Sequence, residues 1–168
     1  MHDVIVVGAG PAGLAAAIAA GRAGLTCLVI EKGALVNSIL NFPRNMVFFS
    51  SPELLEVGGL PFTTPFDKPT RAEALRYYRR VAEVFRLEIL FGEEVVSVLR
   101  GPAFRIVTRR ADGTGSCHES AAVVLAIGYF DHPNMLGIPG EDLPHVSHYY
   151  IEAHPYFRRR VVVVGGKN

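Results

Sequence analysis

Gly8, Gly10 and Gly13 stand in the run HDVIVVGAGPAG with the spacing G-x-G-x-x-G, and an acidic residue, Glu31, closes the next apolar segment. That combination suits phosphate and ribose chemistry. A first glycine permits a tight turn out of a strand, a second lets the backbone approach a pyrophosphate, and a third lets the following helix pack closely on its strand. The helix N-terminus then offers free N–H groups and the positive end of its dipole to the anion. Pro11 suits the start of that helix, where its missing N–H leaves nothing unpaired. Glu31 can accept from both hydroxyls of a ribose and repels a 2'-phosphate, so the ligand class is FAD or NAD.

The elements needed to position these residues can be read around them. Val4–Val7 form a strand, Leu14–Ala23 an alanine-rich helix that stops at Gly24, and Leu25–Ile30 a second strand that delivers Glu31 to its end. A glycine-rich turn that merely packs a helix is the simpler alternative, and the complete strand, helix, strand and acid argue against it.

Two further sets of reactive side chains are present. His132, His145, His148 and His154 crowd a proline-punctuated stretch, but no cysteine or carboxylate triad adjoins them, so a solvated linker is expected and no metal site. Cys27 falls within a strand, where cysteine is usually a small inert hydrophobe, and Cys117 lies away from the motifs. They form no C-x-x-C.

Between residues 33 and 69 the sequence has little periodicity, many prolines and the aromatics Phe42, Phe48, Phe49, Phe62 and Phe66, which are expected to bury against a cofactor ring or a satellite core. Thr70 then caps a helix over Arg71–Phe85, with Ala74, Leu75, Tyr78, Val81, Ala82 and Phe85 at helical spacing. Leu87–Phe91, Glu94–Leu99, Phe104–Arg109 and Ser116–Glu119 read as an antiparallel meander turning at Asp112-Gly113. Ala121–Ile127 returns as a buried strand ending at Gly128. The fold class is α/β: a Rossmann-like domain with a parallel sheet and an inserted antiparallel meander.

With these residues in place, the chain resembles the first part of a two-dinucleotide-binding flavoprotein of the thioredoxin-reductase-like class, which binds FAD and NADPH in two similar domains. GAGPAG with Glu31 matches the FAD entry, VVLAIGYF resembles the second flavin motif with Ile127 where threonine is usual, and Asn41-Phe42-Pro43 resembles the element beside the flavin. More narrowly, EKG, NFP, FFSS, PFTTPFDKPTR, Tyr77-Tyr78, HYYIEAHPYF and GGKN resemble the bacillithiol-disulfide reductase (bacilliredoxin reductase) family. The resemblance implies an FAD-binding domain over residues 1–140, a linker over 141–159, and over 160–168 the first strand (Val161–Val164) and turn of an incomplete NADPH-binding domain. It assigns Gly8, Gly10, Pro11, Ala12 and Gly13 to the FAD pyrophosphate, Glu31 and Lys32 to the adenosine, Asn41 to the ribityl or ring, and Val95 to the adenine through its backbone. Ala126, Gly128 and Tyr129 would close over the cofactor, while Gly165, Gly166, Lys167 and Asn168 would form part of an NADPH loop.

The implied activity is hydride transfer from NADPH to FAD and onward to a small-molecule or thioredoxin-like disulfide, or to another acceptor. One departure matters. Active members of the narrower family carry cysteine where this chain has Ala12, and alanine supplies no thiolate. A non-catalytic FAD- or nucleotide-binding fragment is therefore the second reading, and the chain alone is expected to be inactive, with NADPH requiring a longer chain. An NAD-dependent dehydrogenase is a third, weakened by the meander.

Composition sets the outer bounds. The 168 residues carry 17 basic and 16 acidic side chains, leaving no field that recruits nucleic acid or an anionic membrane. No apolar run reaches the roughly 20 residues of a membrane span, and no secretory leader precedes the first strand, so a cytoplasmic protein is expected. Missing sheet partners would leave apolar surface open, and self-association is expected to follow.

Overall fold

A computed structural model describes residues 1–165. It contains one six-stranded sheet built from β1 (His2–Val7), β2 (Cys27–Glu31), β3 (Ile89–Phe91), β4 (Glu93–Leu99), β5 (Phe104–Arg110) and β6 (Gly115–Leu125), in the order β3-β2-β1-β6-β5-β4. The helices are α1 (Pro11–Arg22), the single turn α2 (Asn37–Leu40) and α3 (Arg71–Val84). β3, β2, β1 and the second half of β6 run parallel, while β4, β5 and the first half of β6 form the antiparallel meander.

The parallel strands are apolar on both faces because both faces are covered. On one side Val6 and Val29 pack against Leu14, Ala17 and Ile18 of α1 and Ala74, Tyr77, Tyr78 and Val81 of α3. On the other, Ile5, Leu28 and Ile30 meet Ile106 of the meander. Each fully buried aliphatic side chain contributes roughly 1.5–3 kcal/mol.

The sequence places β3 and β6 differently from the structure. Leu87–Phe91 was expected in the meander; the strand instead pairs parallel with β2, because the chain leaving α3 returns along the outer edge of the parallel sheet. Ser116–Glu119 and Ala121–Ile127 were expected as two strands, yet they form one, and Ser120 pairs with both His2 and Phe104. The end of β6 is also less buried than expected, with Val124 and Leu125 exposed. α1 starts three residues earlier than periodicity suggested, so Gly13 lies inside the helix.

The long connection from Lys32 to Pro69 is ordered by α3. Thr70 and Glu73 form a reciprocal capping box at its N-terminus. The Tyr77 hydroxyl donates to Leu60 O at 2.8 Å and accepts from Val57 N–H at 2.9 Å, and the Tyr78 hydroxyl donates to Leu55 O at 2.9 Å. Burial pushes both phenols above their ordinary pKa. Phe62 is buried and stacks on Tyr77 with centroids 4.4 Å apart. Phe42 and Phe48 are half-buried, whereas Phe49 and Phe66 are exposed, against expectation, because the loop closes around the tyrosines and leaves those two on its outer side.

Val161–Val164 were expected as a strand and are exposed coil. A strand requires a hydrogen-bonded neighbour, and among the described residues none pairs with this segment. Gly165 is the last described residue; Gly166, Lys167 and Asn168 lie outside the described residues.

Candidate functional site

A cleft of about 510 Å³ opens where Val7, Ile30 and Leu125 bring the C-terminal ends of β1, β2 and β6 together. Open α/β sheets place ligands in this position. Its floor is the glycine turn, its far wall the start of β4, and its rim the segment after β6.

The glycine turn is fixed by two steric demands. Gly8 has φ +103°, and a Cβ there would stand 2.4 Å from Ala126 O; a Cβ on Gly13 would stand 1.9 Å from Gly8 O. Gly10 differs, since a Cβ there meets nothing within 4 Å. No packing among the described residues requires that glycine, and the free space lies beside an uncapped helix N-terminus with no acidic residue in its first turn. A pyrophosphate fits this cradle, because α1 leaves first-turn amides without intrahelical acceptors.

Glu31 is 6 % exposed and braces the turn. Its Oε2 accepts from Ala9 N–H at 2.8 Å and its Oε1 from Gly33 N–H at 2.8 Å. A carboxylate offers about four acceptor positions. Two are thus left for ribose hydroxyls, so the brace and the expected ribose contact are compatible. Ala9 O in turn accepts from Val36 N–H at 3.0 Å, and Val36 sits buried in the left-handed region at φ 47°. Strain of this kind in a β-branched residue is confined to places where the surroundings over-determine it. It turns Asn37 and Ser38 toward the cleft, while the Arg71 side chain donates to Ile39 O at 3.1 Å and to Leu40 O, holding α2 from below.

Across the mouth, Lys32 Nζ meets Asp131 Oδ2 at 2.6 Å, which raises the lysine pKa. At the far wall Glu93 lies with its side chain fully covered: Oε2 accepts from the Thr108 hydroxyl at 2.6 Å, His118 Nε2 lies 3.5 Å from it, and the Arg110 guanidinium sits against Oε1. The Thr108 bond, then Arg110 and His118, hold this carboxyl below the usual range despite its burial.

The structure therefore brings Gly8, Gly10, Pro11, Ala12, Glu31, Lys32, Val95, Ala126, Gly128 and Tyr129 to one cleft, with Gly13 packed beneath it. Asn41 lies outside: its side-chain amide donates to Asn37 O at 2.8 Å and closes the last turn of α2. Gly165 does not line it. Sequence reasoning missed Ala9, Val36, Asn37, Ser38, Glu93 and Asp131. Only Glu93 carried a signal, since its two-residue spacing from Val95 puts both on one face of a strand.

The histidines disperse. His132 borders the cleft, and His148 Nε2 lies 3.1 Å from Glu141 Oε1, whose pKa is lowered to about 2, first by the Leu136 N–H and then by this imidazole. Among the described residues no group of three His, Cys, Asp or Glu could hold a metal ion, and no helix is long and apolar enough to cross a membrane. Cys27 is half-buried, with its pKa raised by burial, and Cys117 is exposed in β6.

The sequence pattern of the pyridine nucleotide-disulphide oxidoreductases matches residues 5–168. The chain belongs to the pyridine nucleotide-disulphide oxidoreductase family. Within that family it is 46 % identical to bacilliredoxin reductase Bdr of Bacillus subtilis over 167 residues, which are 99 % of this chain and 51 % of that protein. The thioredoxin reductase of Treponema pallidum is 35 % identical across 98 % of this chain and 48 % of its own length. The solved bacillithiol disulfide reductase Bdr from Bacillus cereus superposes with a TM-score of 0.90 at 44 % identity, over 92 % of this chain and 48 % of that one. The chain spans about half the length of the curated relatives it matches. These similarities agree with a Rossmann-like oxidoreductase domain carrying a meander on a parallel sheet.

Proposed function

We propose that the chain binds FAD along this cleft and is the flavin-binding part of a cytoplasmic, NADPH-dependent flavoprotein oxidoreductase of the thioredoxin or bacillithiol-disulfide reductase type. The observation that carries the proposal is Gly10, a glycine with open space around it beside a bare helix N-terminus. The relatives named above add the flavoprotein and disulfide chemistry.

The first-turn amides of α1 would hold the pyrophosphate, Glu31 the ribose, and the Glu94–Val95 backbone the adenine, with Ala126, Gly128 and Tyr129 closing the other end. When bound, FAD would supply the two-electron redox chemistry between NADPH and a disulfide. The chain's own part is to bind and orient. Glu31 keeps the turn rigid through Ala9, and Lys32 with Asp131 narrows the mouth.

Ala12 favours a second reading, FAD or nucleotide binding without disulfide turnover. It lies exposed in the cleft at the position where the resembling family has its cysteine, and burial disfavours a thiolate at Cys27. Purification separates these readings from failure of both. A yellow protein that releases FAD on denaturation supports the cleft assignment, and a colourless chain that takes up no added FAD overturns it. Disulfide-dependent NADPH oxidation by the longest natural form of the protein then selects the first reading; its absence with FAD bound selects the second.

A further inference from the structure

We propose that the buried Glu93–Thr108 hydrogen bond, with Arg110 and His118 around it, is a positioning device that fixes the outer edge of β4 as a reader of the adenine base. The inference rests on the reading of the cleft as a dinucleotide site. It concerns a carboxylate for which binding and redox chemistry otherwise have no use.

β4 ends the strand order β3-β2-β1-β6-β5-β4, so among the described residues one row of its peptide N–H and C=O groups has no strand partner. Glu93, Glu94 and Val95 bring that row to the cleft. A register shift between Val95 and Ser97 interrupts the pairing just beyond, before the ladder resumes at Ser97 and Val107, and bulges beside functional sites re-aim the backbone in this way. Such a row can accept from the 6-amino group of adenine and donate to its N1. Hypoxanthine reverses both groups, presenting a 6-oxo acceptor and an N1–H donor. A site built on these polar groups discriminates between the two bases because the wrong one leaves peptide groups unpaired.

An edge strand is held from one side only. Here the holding is concentrated at Glu93: Arg110 is its partner across the ladder, Thr108 is the partner of Val95, and His118 approaches from β6. The Glu93 side chain is 0 % exposed and so acts through the strand it anchors. Gly92, with φ +73°, turns the chain into β4 immediately before it. Without the carboxylate, the first residues of β4 lose their buried side-chain tie to β5 and β6 and keep the exposed Glu94–Arg109 ion pair at 3.0 Å.

The test titrates the full chain, freed of flavin, with ADP and with inosine diphosphate by calorimetry. The wild type is expected to prefer ADP by roughly tenfold, the scale of one hydrogen bond. Thr108→Val and Glu93→Gln should bring the two affinities together, and Thr108→Ser, which keeps the hydroxyl, should retain the preference. A merely structural role would weaken both ligands equally and leave their ratio unchanged, which overturns the proposal. If Thr108→Val does not fold, Glu93→Gln, equal in size, decides the outcome. A wild type that binds ADP without preference removes base reading while sparing the dinucleotide cleft; one that binds neither nucleotide removes both.

Discussion

Val4–Val7 and Val161–Val164 are near-identical apolar tetrads, VIVV and VVVV, each entering a glycine, and the structure treats them in opposite ways. Ile5 and Val6 are 0 % exposed within β1, whereas Val162 is 86 % exposed in coil. Both following glycines adopt positive φ, +103° at Gly8 and +91° at Gly165. The turn is thus encoded locally, and the strand is not. β1 has β2 on one side, β6 on the other, α1 on one face and the meander on the opposite face. High β-propensity expresses fit to such surroundings more than a preference of the backbone itself.

The sharpest way to break the first tetrad is Val6→Asp. An unpaired carboxylate in the core would cost on the order of 5 kcal/mol and should leave the chain unfolded, as circular dichroism would report. Gly13→Ala comes next. Alanine normally stabilises a helix interior relative to glycine by up to about 1 kcal/mol. Here its Cβ would collide with Gly8 O. The sign reverses, with a loss of about 3 kcal/mol by urea titration. Gly10→Ala is the control: stability should hold, and ligand affinity should fall.

These contrasts show what the sequence could and could not reveal. The glycine fingerprint, Glu31, the Thr70 cap and the α/β class were legible because each depends on residues close together along the chain. The pairing of β3 with β2 was hidden because partner choice is set by where α3 returns the chain. The covered carboxylate at Glu93 was hidden because its partners come from two other strands. Phe62 and Phe49 look alike in sequence, yet only Phe62 faces the Tyr77 ring.

A smaller effect probes the long loop. Tyr78→Phe removes the bond to Leu55 O while keeping the buried ring, and should cost about 1 kcal/mol, read as a lower urea midpoint. Tm against pH then isolates the segment after β6. The Glu141 carboxyl is depressed to about 2 by Leu136 N–H and His148, so its contribution is present above the usual carboxylate range and is lost as pH falls through about 2. The Tm difference between wild type and Glu141→Gln should shrink as pH falls below about 4.5.

The smallest expected effect carries the comparison to its limit. Val163→Asp places in the second tetrad the same charge that unfolds the first, yet Val163 is exposed and pairs with no strand among the described residues. Its carboxylate stays in water, no ladder bond is lost, and the urea midpoint should move by less than about 0.5 kcal/mol equivalent. A loss near that of Val6→Asp would mean that Val161–Val164 is buried in solution, and that the segment forms the strand its composition suggests.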